Sequence, residues 1–290
     1  MNSLKDLIDT AERTGQTLPQ VMLDCDAHDS GVDQEVIRES MARRLDVMRE
    51  SAKDALVTPY RPKVAANDVP KLLAHRPGLT SEFTWRACTI AMGMNTCNAS
   101  MGRIVAAPTA GSCGILPGMI LAFEEQRTPY EGRTVLDALI VSAGIGEVIA
   151  ARASLAGAEG GCQAECGSAA AMGAAALVYL SGGTPGACGQ AVAITIKSIT
   201  GLVCDPLAGL VEIPCIKRNG MLVSLGILAA ELALAGVESF IPVDEMIDVM
   251  GKVGRALPPS LRETACGGLA VSPTARQVTA QLLETQRTIH

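Results

Sequence analysis

Aromatic side chains are nearly missing from this chain, with one Trp, three Tyr and three Phe among 290 residues. A β-sandwich draws on aromatic and β-branched residues alternating with polar ones, so that class is disfavoured. An excess of basic charge is missing too. The formal net charge is −6, and Lys and Arg are scattered, with only short pairs such as Arg43-Arg44 and Lys217-Arg218. Nucleic acid requires a dense cationic footprint and is not an expected partner. Long apolar runs are absent as well. Pro117 interrupts 104–123, Asp137 and Glu147 bracket 138–146, and Glu231 breaks 221–236. None reaches the roughly 18 to 20 residues of a membrane span, so the mean hydropathy of +0.28 is read as buried helices.

Histidine is scarce. His28, His75 and His290 are the whole set, and all read as surface or loop residues. The first residues, MNSLKDLIDTAERTG, contain no apolar signal segment; Leu4, Leu7, Ile8 and Ala11 instead fall at helical spacing. The expectation is a cytoplasmic chain whose ten cysteines are thiols or metal ligands rather than disulfides. Cys25, Cys88, Cys97, Cys188 and Cys266 read as small buried hydrophobes.

What is abundant is small. With 29 Gly, many Ala and 48% hydrophobic residues, the composition points to an all-α bundle of close-packed, small-residue helices with functional motifs in the turns. Expected helices cover 81–106, 113–127, 133–156, 164–181, 187–201, 220–236 and 243–254, broken at Gly- and Pro-rich segments. Residues 1–290 are read as a single catalytic domain. In it, 1–80 form an N-terminal helical accessory layer with a proline-rich arm at 58–80, and 81–290 form the core.

Three cysteines stand in separate Gly/Pro-marked segments with polar flanks: Cys162 in GCQAECG (161–167), Cys204 in GLVCDPLAG (201–209) and Cys215 in EIPCIKRNG (212–220). Pro206 and Pro214 preset the backbone beside two of them, which suits rigid mounts for ligands. Three thiolates can hold an iron–sulfur cluster and leave one iron free as a Lewis acid. Zinc in a closed site takes four ligands, and Cys113, Cys166 or Cys266 can supply the fourth thiolate, so both metals stay open here. A second constellation is APTAGSCGILP (107–117), which precedes an apolar run. There Thr109 or Ser112 can cap a helix, and Gly111 lets backbone N–H groups approach an anion such as a carboxylate.

Four stretches together resemble the α subunit of the iron–sulfur-dependent L-serine dehydratases. They are NASMGRIVAAPTAGSCGILPG (98–118), AEGGCQAECGSAAAMGAAAL (158–177), GLVCDPLAGLVEIPCIKRNG (201–220) and RETACGGLAVSPTA (262–275). The resemblance implies a [4Fe–4S] cluster on Cys162, Cys204 and Cys215, no pyridoxal phosphate, and deamination of L-serine to pyruvate and ammonia. It also implies a β-subunit partner. On that reading Thr109, Gly111 and Ser112 grip the serine carboxylate, while Glu165 and Lys217, the ionisable groups nearest the cysteines in sequence, are candidates for the base. The rivals are a related lyase acting on L-cysteine or L-threonine, a non-catalytic helical protein with a thiolate zinc site, and a membrane protein favoured by hydropathy alone.

Overall fold

The computed structural model describes residues 1–288, so His290 lies outside the described residues. Thirteen α-helices account for most of them. The first five are α1 (Leu4–Thr14), α2 (Leu18–Ser30), α3 (Gln34–Val57), α4 (Val69–Ala74) and α5 (Glu82–Ala99). Then come α6 (Ile115–Gln126), α7 (Val135–Arg152), α8 (Gly157–Gly160), α9 (Ser168–Leu180) and α10 (Pro185–Ile199). The last three are α11 (Cys215–Leu234), α12 (Val243–Ala256) and α13 (Pro273–Thr288). Among the described residues no strand forms; the one β-like pairing is an isolated bridge between Cys204 and Arg262. The architecture is all-α, as the composition predicts.

The helices begin where side chains can satisfy their first N–H groups. Ser3, Ser81, Thr134 and Thr184 each accept a bond from a backbone N–H three residues on, and Pro185 follows the last of these caps. At the centre lies α9, every residue of which is buried. It packs against α6, α7, α10 and α11. Only a helix made of Ala, Gly and slim aliphatics can be surrounded in this way without pushing its neighbours apart. The same logic holds between α5 and α6. A Cβ on Gly114 would stand 2.1 Å from the Ala91 carbonyl oxygen, and one on Gly118 would stand 2.6 Å from that of Ala87. The two backbones touch there, and no larger residue fits.

The N-terminal helices join the same apolar core, to which Leu4, Leu7, Val21, Met22, Leu45 and Met48 contribute. The proline-rich arm is tied down by a carboxylate. Glu212, 3% exposed, accepts from the backbone N–H groups of Lys63, Val64 and Ala65 at 2.7 to 2.9 Å. This tie anchors the arm to the segment just ahead of Cys215. No helix of the described residues is long and apolar enough to cross a membrane.

Candidate functional site

Three helices start at one end of the bundle: α6 after the 108–114 turn, α9 after a π turn at Gln163–Gly167, and α11 at Cys215. These turns contact one another, so the positive ends of three helix dipoles gather around a small volume, where negative charge is favoured. Cys162, Cys204 and Cys215 meet there. Each of Cys204 and Cys215 is pushed up by burial first and then by the charge of Cys162, Cys215 reaching about 12, and Cys204 also feels Cys215. Cys162 is held below the usual thiol value, because the Cys166 thiol donates to it and Arg218 adds a hydrogen bond and a positive charge.

Arg218 is the counter-charge of the site. Its guanidinium donates to the Asp205 carboxylate at 2.8 Å and to the Val203 carbonyl at 2.8 Å, besides its bond to Cys162. The other oxygen of Asp205 accepts from the Leu269 N–H at 2.7 Å. Gly268, with a positive φ of 58°, allows that approach; a Cβ there would stand 2.5 Å from the carboxylate. The strip 261–263 also runs beside Cys204. The Cys204 N–H donates to the Leu261 carbonyl at 2.9 Å, and the Glu263 N–H donates to the Cys204 carbonyl at 2.8 Å. Residues 57 and 59 positions away in sequence are thus laced onto one cysteine.

The turn at 108–114 is held from beneath. The Gly111 carbonyl accepts from Asn219 Nδ2 at 2.8 Å and from Asn95 Nδ2 at 3.0 Å, and the Cys166 thiol points at it from 3.9 Å. Asn219 also accepts from the Gly114 N–H at 3.1 Å and donates to the Cys215 carbonyl at 2.9 Å, joining the turn to the start of α11. Ser112 is fully buried, and its hydroxyl is engaged with the Ala107 carbonyl and the Thr109 N–H. Its part is to hold the turn. Thr109, by contrast, hydrogen-bonds to Glu165, whose carboxyl is pushed up by burial and, less strongly, by Glu263. Gly111 faces the same carboxylate, with Glu165 oxygens 3.6 Å from where its Cβ would be.

Glu165, Glu263 and Cys204 each direct a ligand-type atom to a common point, all within 4.8 Å of one another. Lys217 is directed elsewhere: its ammonium pairs with Asp68 at the surface, and the cysteine it influences is Cys88. Of the thiols considered as a fourth zinc ligand, Cys166 adjoins Cys162. Cys113 points at the Met94 carbonyl on α5, and Cys266 is exposed beside the Thr264 carbonyl. His28 is exposed on α2, and the His75 ring packs at a tilt against Trp85. Sequence reasoning treated Asp205, Arg218 and Asn219 as polar flanks and passed over Asn95 and Glu263. A basic residue at i+3 from Cys215 was a usable signal only once the helix start was known. A mostly apolar cavity of about 550 Å³ lies between α2, α3 and α7 and meets the site only through Ala107 and Pro108.

A family model described as serine dehydratase alpha chain matches residues 3–270. The L-serine dehydratase, alpha chain, of Peptoniphilus asaccharolyticus is 42% identical over 289 residues, covering 98% of this chain and 99% of that protein. A probable L-serine dehydratase, alpha chain, of Bacillus subtilis is 42% identical over 281 residues, 95% of this chain and 93% of that protein. The L-serine dehydratase of Streptomyces coelicolor is 34% identical over 275 residues, 92% of this chain but 60% of a longer protein.

Proposed function

The chain belongs to the serine dehydratase alpha chain family, and from that premise we propose that it is a C–N lyase converting L-serine to pyruvate and ammonia on a [4Fe–4S] cluster held by Cys162, Cys204 and Cys215. The observation that carries the reading is the convergence of these three thiols at the starts of α6, α9 and α11, beside Glu165 and the 108–114 turn. The donor set fits the group: three soft sulfur ligands from three segments, balanced by Arg218, with Cys215 only half buried. Bound there, a cluster with one iron free of protein ligands supplies Lewis acidity toward the substrate hydroxyl, a poor leaving group.

The chain's own residues then divide the remaining work. Thr109 and Gly111 present a turn at the start of α6 to the serine carboxylate, and Ser112 keeps that turn in shape. Glu165 takes the Cα proton. Its partial burial raises its basicity above that of a free carboxylate, and the Thr109 hydroxyl orients it. Lys217, committed to Asp68, serves the surface instead. Loss of the proton and of the hydroxyl leaves an enamine that tautomerises and hydrolyses without further help. The alpha-chain name of the relatives and the greater length of the Streptomyces protein support a β-subunit partner for this chain. The shared core of 1–80 and 81–288 supports reading the whole as one catalytic domain.

The deciding experiment is anaerobic reconstitution with iron and sulfide, with and without a β chain, followed by a pyruvate assay on L-serine, L-threonine and L-cysteine. Brown protein that forms pyruvate fastest from L-serine is expected. Colourless protein containing one zinc per chain would overturn the cluster, and a faster rate on L-threonine or L-cysteine would overturn the substrate. Glu165→Gln is expected to remove turnover with the cluster absorbance intact, while Lys217→Met retains both.

A further inference from the structure

We infer that Glu263 is the residue that receives the α-ammonium group of the substrate, and that it thereby selects 2-amino acids over 2-hydroxy acids at this site. The inference rests on the reading above and adds a role that neither the motifs nor the relatives' names assign. It starts from the convergence of Glu165, Glu263 and Cys204. One carboxylate oxygen from each acid and the Cys204 sulfur lie within 4.8 Å of one another. Two carboxylate oxygens about 2.9 Å from a single ammonium nitrogen stand roughly 4.7 Å apart, and a sulfur acceptor sits a few tenths of an ångström further out, so the observed spacing suits one tetrahedral cation.

Two of the nearby cations are already committed. Arg218 is occupied by Asp205, Val203 and Cys162, and Lys217 by Asp68. The backbone makes room for both acids, since a Cβ on Gly157 would lie 2.7 Å from a Glu165 oxygen and 3.1 Å from one of Glu263. The three groups also form a gradient of depth: Cys204 is buried, Glu165 half-buried and Glu263 exposed. A charged ligand entering from solvent therefore meets Glu263 first. The point of departure of the Glu263 side chain is fixed, because its N–H is bonded to the Cys204 carbonyl and its φ is 63°.

The pointer to a cationic ligand is the substrate printed in the relatives' names, an α-amino acid. In L-serine the ammonium and the hydroxyl are separated by three bonds, about 3 Å in the gauche form. A nitrogen held at Glu263 beside Cys204 leaves the hydroxyl among the three cysteines and the Cα–H beside Glu165. The carboxylate then extends towards the 108–114 turn. One orientation serves all four substituents of Cα.

The test is a pair of non-reacting ligands matched in shape, L-alanine with an ammonium and L-lactate with a hydroxyl in its place. Both are titrated calorimetrically into the anaerobically cluster-loaded protein, with its β chain where loading requires one. Glu263→Gln is expected to weaken L-alanine by about tenfold to a hundredfold, the range of a charge-assisted hydrogen bond, and to change L-lactate by less than threefold. Glu263→Asp, which keeps the charge on a shorter arm, is expected to lie between. The cluster absorbance should be the same in all three proteins. Equal weakening of both ligands, or of neither, overturns the ammonium assignment while the dehydratase reading stands. A Glu263→Gln protein that loses one bound zinc or iron ion yet binds L-alanine normally also overturns it, in favour of a metal site. Failure of the wild-type protein to bind L-alanine at all overturns both.

Discussion

Asn219 is the single side chain that ties the 108–114 turn to the mount of Cys215, and its removal tests whether the two are one unit. It is fully buried and makes three bonds, to the Gly111 carbonyl at 2.8 Å, the Cys215 carbonyl at 2.9 Å and the Gly114 N–H at 3.1 Å. Asn219→Ala forfeits about 1 kcal/mol net for each bond, and the orphaned Gly114 N–H, in contact with the α5 backbone, costs on the order of 1–2 kcal/mol more. The sum is about 4–5 kcal/mol, a large share of the roughly 5–15 kcal/mol that holds a folded domain together. At about 2 °C per kcal/mol for a chain of this size, the reduced, cluster-free protein should melt ~8–10 °C lower by circular dichroism. Asn219→Asp should be no better than Ala, since it sets an anionic oxygen against two carbonyl oxygens where a donor stood. A drop below about 2 °C for Ala, or an Asp variant as stable as the wild type, would refute the account of the turn as a part held by Asn219.

Alkaline pH should destabilise the cluster-free chain. Burial raises the thiols of Cys113, Cys188 and Cys215 to about 12, so the folded state keeps protons that the unfolded thiols release from about pH 8.5. Stability from this source is therefore full below about pH 8.5 and falls as pH rises further. By pH 10 the loss is about 2 kcal/mol for each fully buried thiol. Urea titrations at pH 7.5 and 10 measure it, and equal midpoints would contradict it. Arg218→Gln removes the positive charge shared by Asp205 and Cys162 and is expected to halve, or worse, the iron and sulfide retained per chain after anaerobic gel filtration. Arg218→Lys should fall between, because it keeps the charge but loses the planar fork. Equal retention in all three proteins would remove Arg218 from the site's charge balance.

Much of the fold was readable because small-residue composition leaves few options. The whole of α9 is Ala, Gly and slim aliphatics, and only a buried helix uses such a stretch. Boundaries were less readable where a whole Gly/Pro-marked stretch, 204–219, reads as loop. The helix expected over 220–236 begins at Cys215. Gly220 lies within it as a contact residue, since a Cβ there would reach Met92 of α5 at 2.7 Å. That displacement mattered for function, because Arg218 and Asn219, read as loop polars, are in fact on the first turn of α11 and point into the site. The helix expected to run to 106 stops at Ala99, where Ser100 closes it and Met101 turns left-handed with φ 63°. Asn98 then bonds to the Ala110 carbonyl, so the chain folds back to present the turn.

Which segments form the site was legible, whereas which side chains act in it was not, and the difference has a physical origin. A motif such as GLVCDPLAG reports a backbone that must bend at a given place, and bending is local. The direction of a side chain depends on what packs against it. Glu165 lies on a π turn that carries its carboxyl to the Thr109 hydroxyl, and Lys217, two residues past Cys215, follows the helix round to Asp68. Proximity in sequence to a cysteine ranked these two alike; one residue of helical rotation separates Lys217, outside, from Arg218, inside. Glu263 shows the converse, reaching Cys204 across 59 positions through a backbone bridge that no local pattern announces. Its charge would be a liability beside Glu165 unless a cation came between them, and a substrate that brings its own ammonium supplies that cation only when the site is occupied.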